Sequence, residues 1–181
     1  MSTRAAGRER RRWDRKAGLR PEPLILRDSR RWICSRATGS VLEVSIGTGL
    51  NLRHYPRHVD LTGLDHDPVM LEIARRRSAD VQRGVRLVQA DAARLPFASA
   101  SFDSVVCTLA MCVFPDRGAV LVEMSRVLRP GGRLLLLDHA QWRWPLRGRP
   151  VTLAAAAGFV PYRRERLWGG LIERVEAGKP G

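Results

Sequence analysis

The stretch Val41–Asn51 constrains the fold of this chain more than any other. Val41 to Ile46 form a short apolar run, long enough for one buried strand, and Gly47 and Gly49 follow at its end. Glycines there let the backbone turn sharply and let a ligand approach with no Cβ in the way. Amides around such a turn point outward and can hold a negatively charged group such as a carboxylate. The same pair also serves strand ends that only turn, so the rest of the chain must decide. The dinucleotide fingerprint G-x-G-x-x-G is not met, because position 52 is Leu52 and Ser45 precedes the pair.

Beyond this turn the pattern alternates. Leu24–Arg36 reads as an amphipathic helix ended by Thr38-Gly39-Ser40, and the first strand spans 41–46. Leu61–Asp65 is a second strand, Pro68–Arg77 a helix with Pro68 in its first turn, Val85–Gln89 a third strand and Phe102–Leu109 a fourth. Asp116 caps a helix to Leu128, Pro130-Gly131-Gly132 stops it, and Leu134–Leu137 makes a fifth strand. Thr152–Ala157 is a short helix, and Phe159–Arg166 with Leu171–Val175 forms a closing hairpin through Gly169-Gly170. Strands that alternate with helices and are apolar throughout imply a parallel sheet covered on both faces, an α/β/α sandwich.

The 181 residues suit one domain, and no apolar run approaches a membrane helix of about 20 residues. No secretory leader is legible, and three cysteines without metal-ligand spacing fit a reduced, cytoplasmic protein with no metal expected. Cys107 and Cys112 read as small apolar side chains. The net charge of +14 lies at the ends: residues 1–36 carry +8, 37–140 are almost neutral, and 141–181 carry +5. Only Lys16 and Lys179 are lysine, so the arginine excess reflects either base composition or a cationic rim for an anionic partner. Residues 1–36 are taken as a basic N-terminal arm and helix, with residues 37–181 as the main domain.

In a doubly wound sheet, ligands bind beyond the carboxyl ends of the strands. The Gly47-Gly49 turn, Asp65, Asp91 and the Thr108–Cys112 segment all fall at such ends. An acid closing the second strand can accept hydrogen bonds from both ribose hydroxyls, whereas Asp67 reads as a helix cap. The quoted text Glu43-Val44-Ser45-Ile46-Gly47-Thr48-Gly49, Gly63-Leu64-Asp65, Asp91-Ala92 before Leu95-Pro96-Phe97, Ser101-Phe102-Asp103, and Val127-Leu128-Arg129-Pro130-Gly131-Gly132 resembles the class I S-adenosylmethionine-dependent methyltransferases. Within them it is similar to the group for ubiquinone/menaquinone biosynthesis and phospholipid methylation.

The resemblance implies a Rossmann-like seven-stranded sheet of order 3-2-1-4-5-7-6 with strand seven antiparallel. It implies S-adenosylmethionine as cofactor and S-adenosylhomocysteine as product. Gly47 and Gly49 would pass the methionine part, Asp65 the ribose, and Asp91 with Ala92 the adenine. Met70 would pack near the adenine and Thr108 near the methionine end, with Glu43, Ser45, Asn51 and His66 completing the pocket. Ser45 departs from the family's usual glycine and Glu43 from its commoner aspartate.

The acceptor side departs further. Trp13-Asp14 stands where relatives often carry a tyrosine-aspartate pair, and residues 140–151 form a shortened lid containing Trp142. Trp13, Tyr55, Cys112 and Trp142 are the candidate acceptor contacts, and His139 beside Asp138 is the candidate base. The expected reaction is methyl transfer to a hydroxyl, thiol or amine of a small molecule, such as a natural-product intermediate. A phospholipid or carrier-bound acceptor and a non-catalytic cofactor-binding module are the alternatives. A second copy of the chain or a large acceptor would close the mouth, and nucleic acid is the less favoured partner.

Overall fold

A computed structural model describes residues 24–140 and 149–181, the side chain of Ile25 excepted. The elements are α1 (Leu24–Cys34), β1 (Ser40–Val44), a 3-10 turn (Leu52–His54), β2 (Asp60–Asp65), α2 (Pro68–Asp80) and β3 (Arg86–Gln89). They continue with β4 (Phe102–Thr108), α3 (Arg117–Val127), β5 (Leu128–His139), α4 (Pro150–Ala156), β6 (Val160–Leu167) and β7 (Ile172–Gly178). Trp13, Trp142, the arm before Leu24 and most of the expected lid lie outside the described residues.

The seven strands form one sheet in the order β3-β2-β1-β4-β5-β7-β6. β1 to β5 pair in parallel, and β7 runs antiparallel to both β5 and β6. The expected α/β sandwich is therefore the observed one. Its central strands β1, β4 and β5 are largely apolar on both faces because each face is roofed by helices there. Leu42, Val44, Val105, Leu134 and Leu136 face α3 and α4, where Val120, Leu121, Met124, Val127 and Ala154 bury themselves. Val41, Val106, Leu135 and Leu137 point the other way, onto Ile33 and Cys34 of α1 and Leu71 of α2. Successive side chains alternate across a strand, so one unbroken leucine run serves both cores.

Local chemistry fixes the element ends. Asp67 Oδ1 accepts the Val69 N–H at 2.8 Å, which starts α2, and Asp116 Oδ1 accepts the Ala119 N–H at 2.9 Å, which starts α3. Most boundaries shift from the sequence reading by one to three residues, and two of the differences have a clear local cause. β1 stops at Val44 rather than at residue 46, because Ser45 takes φ +59° and turns the chain out of the strand. β5 begins at Leu128, directly after α3, and carries Pro130-Gly131-Gly132 inside it. A Cβ on Gly132 would stand 2.8 Å from the Arg129 carbonyl, so this irregular start needs glycine, and the pairing with β4 shifts register there.

Left-handed φ strains a serine by about 1–2 kcal/mol relative to glycine. Ser45→Gly should therefore raise the melting temperature by roughly 2–4 °C, measured by calorimetry. An unchanged or lower melting temperature would mean that the side chain repays the strain.

The C-terminal hairpin absorbs part of the positive charge. Buried Glu173 accepts from Arg164 Nε at 2.7 Å, and Arg174 Nη2 donates to Glu165 at 2.5 Å. Trp32 of α1 takes the guanidinium of Arg36 at 3.8 Å and that of Arg174 at 4.8 Å from its ring centre. No helix among the described residues is long and apolar enough to cross a membrane.

Candidate functional site

The carboxyl ends of β3, β2, β1 and β4 stand side by side. Asp65 is opposite Gln89, and Val44 is opposite both Leu64 and Cys107. The Ala90 N–H reaches the Asp65 carbonyl at 3.1 Å, so Asp91 comes one residue beyond the tip of β2. Asp91, Asp65, Gly47 and Thr108 therefore line one edge, in that spatial order from β3 across β2 and β1 to β4. Neighbouring strands lie about 4.8 Å apart, so this edge spans roughly 14 Å.

The two glycines of the turn do different work. A Cβ on Gly47 (φ +56°) would meet nothing within 4 Å, which leaves open space over the strand end. A Cβ on Gly49 (φ +76°) would stand 2.7 Å from Leu52 Cδ1 and 3.3 Å from the Ala74 backbone, so Gly49 lets α2 close on the turn. The Gly47 N–H donates to Asp65 Oδ2 at 2.9 Å and the Asp67 N–H to Asp65 Oδ1 at 3.1 Å. Both bonds orient a carboxylate that is only 4% exposed. His66 is exposed and lies 3.4 Å from Asp65 through Nδ1. Asp91 is exposed and its Oδ1 accepts the Ala93 N–H at 2.9 Å, a turn-making bond that leaves the other oxygen for an outside donor. Ala92 is buried in the core beside it, and Met70 is half-buried on the first turn of α2.

Beneath the turn lies a buried polar network. Asn51 Nδ2 donates to Glu43 Oε1 at 2.7 Å and to Thr108 Oγ1 at 2.8 Å, and Tyr55 Oη donates to Glu43 Oε2 at 2.9 Å. Tyr55, expected among the acceptor contacts, is thus placed in this network and is 5% exposed. Arg30 of α1, which the sequence reading passed over, donates to Asn51 Oδ1 at 2.9 Å and to Thr108 Oγ1 at 3.1 Å. Its signal was weak: one arginine on the buried face of an amphipathic helix, among many exposed arginines.

Burial pushes the Glu43 carboxyl up to about 7, against the pull of the Tyr55 and Asn51 hydrogen bonds and the Arg30 charge. A carboxyl raised by folding favours the folded state most while protonated. That contribution is full below the unfolded value of 4.5 and is lost as pH rises through about 7. Glu43→Gln should therefore lose less stability than the parent between those two pH values, by on the order of 2 kcal/mol. Parallel urea titrations would refute this if the two curves kept a constant gap.

At the far end of the edge, Asp138 and His139 close β5. Asp138 Oδ2 accepts the Met111 N–H at 2.8 Å, and His139 Nδ1 lies 3.2 Å from Asp138 Oδ1. The Asp138 carboxylate, then Cys112, raise the His139 imidazole to about 9. Cys112 is half-buried nearby, in the loop after β4.

Residues 42–136 match the family model described as a methyltransferase domain, just over half of the chain. The chain belongs to the class I S-adenosylmethionine-dependent methyltransferases. The family's methyl donor is S-adenosylmethionine. A demethylmenaquinone methyltransferase of Deinococcus radiodurans is 43% identical over 101 residues, covering 54% of this chain and 42% of that protein. A phosphatidylethanolamine N-methyltransferase of Cereibacter sphaeroides is 38% identical over 142 residues, covering 77% of this chain and 68% of that protein. The chain thus spans less than half of the first of these relatives. The cyclase SpnF superposes with a TM-score of 0.72 at 18% identity, over 86% of this chain and 80% of that one. That likeness concerns the fold of this family alone.

Proposed function

We propose that the chain transfers a methyl group from S-adenosylmethionine to a small-molecule acceptor at the ends of β4 and β5. The observation that carries this reading is the pairing of Gly47 and Asp65. The glycine keeps a strand end open, and its own amide fixes a buried carboxylate beside the opening. Asp65 then accepts from the two ribose hydroxyls, and Asp91 and Met70 meet the adenine. Thr108, Asn51 and Arg30 lie at the opposite end, where Arg30 holds the carboxylate of the amino-acid part.

When bound, the cofactor supplies an already activated methyl group. The chain's own part is to align the acceptor and exclude water. His139 and Cys112 stand where the acceptor enters. A histidine held protonated near neutral pH by Asp138 offers the acceptor a hydrogen bond and a positive charge. Proton abstraction, the role read from the sequence, then falls to conditions above about pH 9. The acceptors this favours are thiols, phenols and other groups that react as anions.

Calorimetric titration with S-adenosylmethionine, followed by labelling of acceptors with methyl-labelled cofactor, tests the reading. Binding with transfer is expected, and absence of binding would end the proposal. Binding without transfer to any acceptor class would leave the non-catalytic module. His139→Ala should lower turnover about tenfold or more, since one positioned group contributes 10²–10⁴-fold in such sites, while cofactor affinity stays unchanged. Full activity in that variant would remove His139 from the reaction.

A second reading rests on a cleft of about 300 Å³ between α1 and the 3-10 turn, lined by Leu24, Arg27, Asp28, Arg31, Arg53 and His54. Three arginines against one aspartate favour an anionic acceptor, carrier protein or lipid headgroup at this edge.

A further inference from the structure

Cys112 is 26 residues from Asp138, and nothing in their spacing signals a metal site. The topology nevertheless brings three different ligand types together. β4 and β5 are paired up to Thr108 and Leu137, and the Leu109 N–H reaches the Leu137 carbonyl at 2.7 Å. The Met111 N–H then bonds Asp138 Oδ2, so the loop after β4 is pinned across the end of β5 and delivers Cys112 one residue later. The ligand atoms of Cys112, Asp138 and His139 all lie within 4.8 Å of one another.

Their geometry fits a small divalent ion. A four-coordinate ion with bonds of about 2.0–2.1 Å to nitrogen and oxygen separates those ligand atoms by about 3.3 Å. Asp138 Oδ1 and His139 Nδ1 are 3.2 Å apart. Asp138 is 3% exposed and its oxygens are held by the backbone amides of Met111 and His139, so its orientation is set in advance. Such outer support is what positions first ligands in metal centres. Thiolate, imidazole and carboxylate together suit zinc and disfavour magnesium or calcium, which take oxygen ligands.

We propose that Cys112, Asp138 and His139 form a zinc-type divalent cation site at the acceptor end of the pocket, with a fourth position open to the methyl acceptor. The three-ligand arrangement with one open position is that of catalytic rather than structural zinc. Ion binding displaces the Nδ1 proton of His139, so the metal takes over the positive charge that the protonated imidazole offers in the ion-free site. The assignment of an acceptor role to this site rests on the proposed methyl transfer; ion binding itself does not. A thiol or phenol taking the fourth position loses its proton to solvent. Its sulfur or oxygen electron pair then forms the bond to the methyl carbon, the carbon–sulfur bond of the sulfonium breaks, and that pair stays on the sulfur of S-adenosylhomocysteine.

Cobalt(II) titration of the full chain, kept reduced with a phosphine, tests the site without any turnover. One equivalent should give the strong visible bands of four-coordinate cobalt and a near-ultraviolet thiolate-to-cobalt band, both removed by zinc. Cys112→Ser should abolish the thiolate band and weaken zinc binding about tenfold or more, with its melting temperature recorded to confirm folding. His139→Gln provides the second variant and should lose the four-coordinate spectrum. Weak six-coordinate bands in the parent, or a thiolate band that persists in Cys112→Ser, would overturn the site. If calorimetry shows cofactor binding while cobalt gives no thiolate band, the metal proposal fails and the methyl-transfer reading stands.

Discussion

Asp65→Ala is expected to weaken S-adenosylmethionine binding by about a hundredfold or more, the largest effect of any single substitution in the pocket. Hydrogen bonds to a charged group contribute about 1.5–3 kcal/mol each, and the ribose would lose two. The variant also leaves the Gly47 and Asp67 amides without the acceptor they now share, so the turn over β1 loosens as the ligand contact disappears. Asp65→Asn keeps an acceptor oxygen and should fall between the two. Calorimetric titration reads all three proteins. An Asp65→Ala affinity within threefold of the parent would contradict the ribose assignment and, with it, the placement of the whole cofactor.

Arg30→Ala should produce the second large loss, tenfold to a hundredfold in affinity for S-adenosylmethionine. The residue is 8% exposed and its guanidinium is fixed on Asn51 and Thr108, at the end of the edge farthest from Asp91. The effect should be selective. Methylthioadenosine has the nucleoside and the sulfur but lacks the amino-acid carboxylate, so parent and variant should bind it equally. Arg30→Lys retains the charge and should recover part of the loss. Equal weakening toward both ligands would assign Arg30 to scaffolding of the Glu43 network.

The strands and the helix caps were legible because they rest on short-range chemistry, whereas the strand order followed from the family resemblance and not from any local pattern. Apolar runs ending in glycine or aspartate place strand ends, and Asp67 and Asp116 cap helices through their own neighbours. What was not legible depends on distant partners. Gly47 and Gly49 look equivalent along the chain, yet only Leu52 and Ala74, brought in by the 3-10 turn and α2, show the second to be a packing glycine. Tyr55 follows the turn closely enough to suggest the pocket wall, but its hydroxyl goes down to Glu43. Arg30 was hidden among arginines because its partners are 21 and 78 residues away. The same holds for Cys112, whose neighbours at the tip of β5 come from sheet pairing rather than from sequence spacing.

The start of β7 has a bearing on how such a protein can diversify. His139 is opposite Ile172, the Ala140 N–H bonds the Leu171 carbonyl, and the Val151 N–H bonds Glu173 Oε2. The chain therefore leaves the sheet after Ala140 and is tied back at Val151, with its two ends held by Leu171 and Glu173, two residues apart at the start of β7. A connection anchored in that way can gain, lose or exchange residues without moving any strand. On the proposed reading, acceptor preference would then change by swapping this span alone, while the strand ends that are proposed to hold the methyl donor stay in place.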